Sequence, residues 1–332
     1  MHDAIRVGSA LAKRGEKVWG EIPLPDAGKD RVKPPKILLL NGVAEGPTVY
    51  VGAGAHGDEF NAIEALRRAA ATLDPQSLKG AAILVPVQNR AAFDARTRRT
   101  PADDKDIDQC YPGDPEGSPT DVLAHLLFRE AVTKADRVLD LHTASRGGWN
   151  LLHSLCPPGT AETSTRAQQL ARAFGVRVMV SLETPTTGHV GQSAGWNLDH
   201  NLFVQASARN IPSVIIEFGG PGRLETEQVE LGFQGIMNVL AELDMINPTV
   251  RWQPSRPFAA RQAVVVRCQT QGFLYPVARP GNRVQKGDLL ARIVSLANAV
   301  EEIISPEDGM VMQVATDGVL VPNDRVVVIA IE

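Results

Sequence analysis

Two residues with metal-binding side chains, His56 and Glu59, lie three positions apart directly after a short apolar run. Zinc accepts both imidazole and carboxylate ligands, and a catalytic zinc usually has three protein ligands and one water molecule. The two residues would flank a tight turn that Gly57 makes easy, so both side chains can reach one ion. A third ligand would have to come from elsewhere in the chain.

The residues around this pair predict a buried strand followed by an amphipathic helix. Residues 49–55 are apolar, and between residues 60 and 73 apolar positions recur every three or four residues. His56 and Glu59 would then lie at the carboxyl end of a strand, where open α/β sheets bind their ligands. An isolated His-x-x-Glu is also common at an ordinary helix start, so the pair alone does not establish a metal site.

Two further predicted strands end in residues of the same kind. DRVLDLHTAS (136–145) contains His142, and PSVIIEFGG (212–220) contains Glu217. Parallel strands present their carboxyl ends at one edge of a sheet, so we expect these residues to meet His56 and Glu59 there. His142 would complete a zinc site, and Glu217 would be left as a general base beside a water molecule. Each alone would more often make a structural hydrogen bond, but together they favour a hydrolytic site with one Zn²⁺ per chain.

A long polar segment, residues 94–119, is rich in Pro, Gly and Asp. Loops of this length without periodicity are often functional. The segment contains three closely spaced arginines, Arg96, Arg98 and Arg99. One of them could stabilise the oxyanion that develops when water attacks a carbonyl group.

The bulk composition is that of an ordinary globular protein. The chain has 332 residues, 43% of them hydrophobic, with a formal net charge of −4. This charge gives no electrostatic case for binding nucleic acid or an anionic membrane, and no apolar run approaches the ~20 residues of a membrane span. Three separated cysteines without a CxxC motif predict buried thiols in a reducing compartment, so the cytoplasm is expected.

Two domains are expected from the pattern of elements. Residues 1–250 alternate between strand and helix patterns, including a helix at 193–209, which predicts an α/β fold with a mixed sheet flanked by helices. Residues 255–332 contain short Val/Ile-rich runs separated by Gly, Pro and Asp, which predicts a small β-barrel or sandwich.

The motifs HGDE (56–59), DLHT (140–143) and IEFG (216–219), in this order, resemble the succinylglutamate desuccinylase/aspartoacylase family. The resemblance extends over nearly the whole chain. It implies the fold of the zinc carboxypeptidases and the activity of a zinc-dependent amidohydrolase. It also implies that His56, Glu59 and His142 bind zinc, and that Glu217 is the general base and later the proton donor.

The resemblance assigns further roles in the polar loop. Arg98 would polarise the carbonyl group, although the unfixed loop length leaves Arg96 and Arg99 as competitors. Asp106 would hold a zinc-bound histidine and fix its tautomer.

The chain departs from the family pattern at two positions. Family members have Asn-Arg, which binds the substrate's carboxylate, where this chain has Asp108 and Gln109. An aspartate repels a carboxylate, so we expect a substrate that is neutral or cationic at that end rather than N-acetylaspartate or succinylglutamate. In the alternative interpretation, Asp108 pairs with Arg96 or Arg99 and does not contact the substrate.

The last part of the chain resembles the barrel-sandwich hybrid of lipoyl and biotinyl carrier domains through PGNRVQKGDLLARI and SPEDGMV. The corresponding hairpin region, SLANAVEEII, has no lysine for a swinging arm. We expect this domain either to cover one side of the active-site mouth or to make a contact in a homo-oligomer.

The sequence thus predicts a cytoplasmic zinc deacylase that cleaves the amide bond of a small N-acylated amine or amino-acid derivative. Two alternatives remain open, namely a metallocarboxypeptidase that acts on peptides and a non-catalytic binding protein with the same fold. His189, in a Gly-rich loop, is a further candidate for the pocket, although an exposed loop position is favoured for it.

Overall fold

A computed structural model describes residues 3–25, 32–183, 191, 195–247 and 256–332. Up to residue 247 the described strands are β1 (Ala4–Val7), β2 (Ala10–Lys13), β3 (Glu16–Glu21), β4 (Lys36–Asn41), β5 (Ala44–Ala53), β6 (Lys79–Val85), β7 (Arg137–His142), β8 (Gly148–Cys156), β9 (Val178–Ser181) and β10 (Ser213–Gly219). The described α-helices are α1 (Phe60–Thr72), α2 (Arg90–Ala95), α3 (Pro119–Glu130), α4 (Ala161–Phe174), α5 (Leu202–Ser207) and α6 (Thr226–Glu242). Short 3-10 helices cover Pro75–Ser77, Ile107–Gln109 and Val132–Lys134. The later strands are β11 (Phe258–Ala260), β12 (Gln262–Arg267), β13 (Gly272–Pro276), β14 (Arg283–Val284), β15 (Leu289–Val294), β16 (Val300–Ile304), β17 (Gly309–Ala315), β18 (Val319–Leu320) and β19 (Arg325–Ile331).

A large mixed sheet forms the centre of the described molecule. Its main path follows the strand order β12-β19-β17-β8-β10-β7-β5-β6-β4-β3, and the neighbours β10, β7, β5 and β6 run parallel. The predicted mixed α/β fold with flanking helices is confirmed. The carboxyl ends of β5, β7 and β10 therefore meet at one edge of the sheet.

Helices bury apolar stripes on both faces of this sheet. On one face, α1, α4 and α6 pack around Leu66, Phe174 and Ile236. On the other face, α3 and α5 contribute Leu127 and Leu202. The buried positions of α1 follow the helical period expected from the sequence, and no helix in the described ranges is long and apolar enough to cross a membrane.

One predicted helix is wrong in extent. The sequence pattern predicts a helix over residues 193–209, of which 193 and 194 lie outside the described residues, whereas α5 spans Leu202–Ser207. The side-chain oxygen of Asn197 accepts a hydrogen bond of 3.3 Å from the Asp199 backbone N–H, a local turn that competes with helical hydrogen bonding. Sequence reasoning also missed strand β8.

The C-terminal strands continue the central sheet. Strand β17 pairs antiparallel with β8, so that β17, β19 and β12 extend the sheet beyond β10. Strands β16, β15, β13 and β18 form a separate four-stranded sheet. The division into domains at residues 250–255 stays a prediction, and residues 248–255 lie outside the described residues. Cys110, Cys156 and Cys268 are buried free thiols, as predicted.

Gly57 is needed at the end of β5 because of close packing. A Cβ atom at this position would lie 1.9 Å from the backbone carbon of Ala92 in α2, an impossible contact with main-chain atoms. The Gly57 N–H also donates a 2.9 Å hydrogen bond to the Thr97 carbonyl. The glycine of HGDE thus lets the turn lie directly against the segment that precedes Arg98.

We expect Gly57→Ala to destabilise the fold by about 1–3 kcal/mol, the usual cost of overpacking, because α2 must move away. Urea unfolding monitored by circular dichroism measures this loss. Gly318→Ala is the matched control, since its added methyl group meets no atom within 4 Å. Equal unfolding midpoints for the two variants would contradict the packing argument.

Candidate active site

The sheet brings the predicted site residues to one edge. Glu217 on β10 is the direct register partner of His142 on the parallel strand β7. His56 follows the end of β5, which pairs with the other side of β7. His56, Glu59 and His142 are each only 1% exposed, whereas Glu217 is partly buried.

Glu59 lies between the two histidine rings. Its Oε1 is 2.7 Å from His56 Nδ1, and its Oε2 is 3.1 Å from His142 Nδ1. The backbone N–H of Thr143 also donates to Oε2, at 3.2 Å. Burial raises the pKa of Glu59, but both imidazoles outweigh this effect and hold the pKa below its usual range.

The outer nitrogen of each ring faces another carboxylate. His56 Nε2 is 3.0 Å from Asp106 Oδ1, and His142 Nε2 is 3.3 Å from Asp140 Oδ2. Gln88 Nε2 donates a 2.9 Å hydrogen bond to Asp140 Oδ1. Metal-binding histidines commonly contact a carboxylate through the nitrogen that is not bound to the metal, which fixes the tautomer.

Sequence reasoning missed Asp140, although a signal was present. Alternate residues of a strand point to the same face, so an aspartate two positions before His142 projects towards the same side of the sheet.

A second set of possible metal ligands shares two residues with the set of His56, Glu59 and His142. One ligand atom each from His56, Asp108 and His142 lie within 4.8 Å of one another. Asp108 Oδ2 is 3.4 Å from His56 Nε2, and among the described residues Asp108 Oδ1 and His142 Nε2 have no hydrogen-bond partner. The two sets differ in their carboxylate: Glu59 lies beside Nδ1 of both rings, whereas Asp108 approaches Nε2 of His56. The Glu59 set leaves a carboxylate beside the outer nitrogen of each ring, the arrangement typical of bound zinc.

The local charge also suits a cation. Five carboxylates are gathered around Arg98 and two imidazoles; they are Glu59, Asp106, Asp108, Asp140 and Glu217. Burial lowers the pKa of His56, but its carboxylate neighbours outweigh burial and raise the pKa to about 9. The pKa of His142 is likewise raised by Asp140, Asp108 and Glu59 against the effect of burial. Such a cluster attracts positive charge, and two imidazoles with a carboxylate suit zinc.

Arg98 is the loop arginine that reaches this cluster. Its Nε donates a 2.9 Å hydrogen bond to Asp106 Oδ2, and its Nη1 lies 3.2 Å from Ser145 Oγ and 3.8 Å from Glu59 Oε1. The guanidinium of Arg99 instead bonds to Asp104, and Arg96 lines a separate surface cavity. Neither pairs with Asp108 in the part of the chain that the structure describes.

Glu217 is held in place by a residue that sequence reasoning missed. Asn150 Nδ2 donates a 2.8 Å hydrogen bond to Glu217 Oε2. Burial is the main cause that raises the pKa of Glu217, to about 8. Asn150 lies on β8, the strand that was not expected.

The cluster opens into a cavity of about 150 Å³. Asp108 and Gln109 line it, as do Trp196 and, from the C-terminal strands, Gln313 and Arg325. Gln109 is exposed and donates a 3.1 Å hydrogen bond to the Asn197 carbonyl. His189 lies outside the described residues.

Comparisons with known proteins agree on one family. The model of the succinylglutamate desuccinylase/aspartoacylase catalytic domain matches residues 45–243. The N-alpha-acetyl-L-2,4-diaminobutyric acid deacetylase of Halomonas elongata is 26% identical over 294 residues, which are 86% of this chain and 78% of that protein.

Solved structures are similar over almost the full length. A succinylglutamate desuccinylase/aspartoacylase from Rhodobacter sphaeroides has 26% identity and a TM-score of 0.80, with 95% of this chain and 94% of that chain covered. The product-bound ectoine utilization protein EutE (DoeB) from Ruegeria pomeroyi has 22% identity and a TM-score of 0.81, with 100% of both chains covered. The latter similarity concerns the fold alone.

If Glu59 is the carboxylate ligand of the metal, substitutions should affect metal binding differently than if Asp108 is. We expect Glu59→Gln to lose bound zinc, because the variant removes the carboxylate between the two Nδ1 atoms. Asp108→Asn should retain zinc with at most the ~10–100-fold weakening typical of groups that only support a ligand. Metal analysis after dialysis and titration against a chromophoric chelator measure both. The opposite result would make Asp108 the ligand.

Proposed function

Because this chain belongs to the succinylglutamate desuccinylase/aspartoacylase family of amidohydrolases, we propose that it is a zinc-dependent deacylase that cleaves the amide bond of an N-acylated amine or amino-acid derivative. The observation that carries this proposal is the position of Glu59 between His56 and His142, with Glu217 in register with His142. This arrangement combines a zinc-type donor set with a separate carboxylate that is free to exchange a proton.

We propose His56, Glu59 and His142 as the residues that hold the ion. Bound zinc supplies Lewis acidity, which activates water and polarises a carbonyl group. Asp106 and Asp140 orient the two imidazoles through the outer nitrogens. The 3.0 Å hydrogen bond between His56 Nε2 and Asp106 Oδ1 supports the first role. For Asp140 the support is a 3.3 Å approach to His142 Nε2 that does not have hydrogen-bond geometry.

Glu217 moves the proton in the proposed reaction. Its carboxylate accepts a proton from the attacking water and later donates it to the leaving amine nitrogen. Burial favours the protonated form of Glu217, whereas a nearby cation favours the ionised form that a base requires. Asn150 orients the carboxylate by donating to one of its oxygens, which leaves the other free for the proton.

Arg98 donates hydrogen bonds to the developing oxyanion in this proposal. Its Nη1 lies 3.3 Å from His56 Nδ1 and 3.8 Å from Glu59 Oε1, so this end of the guanidinium reaches the cluster although the side chain is 38% exposed. Its bond to Asp106 fixes the guanidinium before the reaction, and a preorganised donor costs little reorganisation when charge develops.

The charge of Asp108 indicates the substrate class. Its carboxyl group is buried, lines the cavity and has one oxygen without a partner among the described residues, so it suits a cationic group rather than an anionic one. The Halomonas elongata relative is named for a substrate that retains a free amino group after acetylation. We therefore propose an N-acetylated diamino acid as the substrate class, bound with its ammonium group near Asp108.

Removal of Glu217 should separate catalysis from metal binding. We expect Glu217→Ala to retain zinc but to lose activity by at least ~10²–10⁴-fold, the usual contribution of a general acid–base. His142→Ala, in contrast, should lose both zinc and activity. Steady-state kinetics and metal analysis on the same preparations make the comparison. Normal turnover by the Glu217→Ala protein would rule out the assigned role.

The substrate preference can be tested directly with purified protein. We expect hydrolysis of Nα-acetyl-2,4-diaminobutyrate to exceed that of N-acetylaspartate by at least tenfold in kcat/KM, because Asp108 repels a second carboxylate. A chelator should abolish activity, and zinc should restore it. Preferential cleavage of peptides with free C-termini would favour a metallocarboxypeptidase, and the absence of any hydrolysis by the zinc-loaded protein would favour a binding protein.

A further inference from the structure

Arg325 is a cationic residue of the cavity that the proposed chemistry does not use. It lies at the start of β19, in the C-terminal part of the chain, and lines the same cavity as His56 and Glu217. Its Nη1 donates a 2.6 Å hydrogen bond to the side-chain oxygen of Gln313. Its Nε is buried and has no acceptor among the described residues.

The guanidinium is not matched by a carboxylate. Glu217 is the carboxylate that acts electrostatically on Arg325, but the two form no ion pair in the described ranges. Burial lowers the pKa of Arg325, as do the guanidinium groups of Arg267 and Arg98, and the Glu217 carboxylate only partly opposes this effect. Burying a charged donor without an acceptor is energetically unfavourable. We therefore expect a bound molecule to supply an acceptor for Arg325.

The free atoms of Arg325 form the edge of the guanidinium that suits a carboxylate. Gln313 occupies Nη1, which leaves the edge formed by Nε and Nη2 without a hydrogen-bond partner among the described residues. A planar guanidinium edge binds two carboxylate oxygens through parallel hydrogen bonds. Gln313, itself buried, fixes the orientation of this edge.

The sheet connects Arg325 to the reacting end of the cavity. Gln313 on β17 is the register partner of Asn150 on β8, and Asn150 holds Glu217. Neighbouring strands therefore fix the position of the Arg325 guanidinium relative to Glu217, which we propose transfers the proton. A group bound there would have a defined distance from the scissile amide.

The other polar groups of the cavity do not supply this positive charge. Gln109 is neutral, Asp108 is acidic, and Arg98 is already bonded to Asp106. Arg325 is thus the arginine of this cavity that is not committed to a carboxylate among the described residues.

We propose that Arg325 anchors the carboxylate of the amino-acid part of the substrate. This inference rests on the proposed deacylase function and adds a binding site for the second charged group of its substrate, with the carboxylate at Arg325 and the ammonium group near Asp108. The C-terminal strands then determine specificity, whereas the residues that perform the chemistry come from β5, β7 and β10.

The test compares two substrates that differ only at the carboxylate, Nα-acetyl-2,4-diaminobutyrate and its primary amide. We expect Arg325→Gln to lower kcat/KM for the carboxylate about 10–100-fold, mostly through KM, because Gln can still donate one of the two hydrogen bonds and the loss of one bond to a charged group is about 1.5–3 kcal/mol. The same variant should hydrolyse the amide as the unaltered protein does. Arg325→Lys retains the charge without the planar edge and should give an intermediate loss.

Arg267→Gln is the matched control. Arg267 is the exposed register partner of Arg325 on β12 and donates to the Asn323 carbonyl, so its removal should leave both substrates unaffected. Zinc content and thermal unfolding are measured for all variants. An equal decrease for the carboxylate and the amide in Arg325→Gln, or an unchanged ratio in both Arg325 variants, would overturn the proposal.

Failure of the deacylase function is distinguished by a binding measurement. If the unaltered zinc-loaded protein hydrolyses neither substrate, the proposed function fails, and calorimetry with 2,4-diaminobutyrate and its amide then decides the role of Arg325. Tighter binding of the carboxylate that is lost in Arg325→Gln supports the anchor, and equal binding of the two compounds refutes it. If Arg325→Gln does not fold, the same comparisons are made with Arg325→Lys.

Discussion

The structure depends on the concentration of buried carboxylates around two imidazoles. Glu59 contacts both rings, while Asp106 and Asp140 approach the nitrogens on the far side of each ring. Buried charges are tolerated only when they are paired and hydrogen-bonded. The turn at Gly57, the strand ends and the polar loop are therefore constrained together, because a displaced partner would leave a buried charge uncompensated.

This constraint accounts for what the sequence could predict. A metal-type ligand at the end of an apolar strand is visible without a structure, and the parallel order of β10, β7 and β5 brings three such ends together. His56, Glu59, His142 and Glu217 were found in this way, and their meeting follows from elementary sheet geometry. Their roles as ligands and base stay predictions, although their positions agree with those roles.

The rest of the site depends on pairings between strands that are far apart in the chain, and the periodicity of the sequence does not predict which strands pair. Asn150 lies on a strand that was not expected, and its contact with Glu217 requires β8 to run antiparallel to β10. Gln313 and Arg325 reach the cavity only because β17 pairs with β8. The helix expected at 193–209 is wrong over residues 195–201, where the side chain of Asn197 favours a local turn that the apolar spacing does not reveal.

The pairing of β17 with β8 also affects which residues of this protein can be replaced during evolution. Backbone hydrogen bonds between these strands are largely indifferent to side-chain identity, so residues facing the cavity from the last strands can be exchanged while the catalytic edge keeps its geometry. The same bonds cover an edge of β8 that would otherwise be a template for intermolecular strand association. Substrate selectivity can therefore change through side chains of the C-terminal strands, although the strands themselves must be kept to cover the edge of β8.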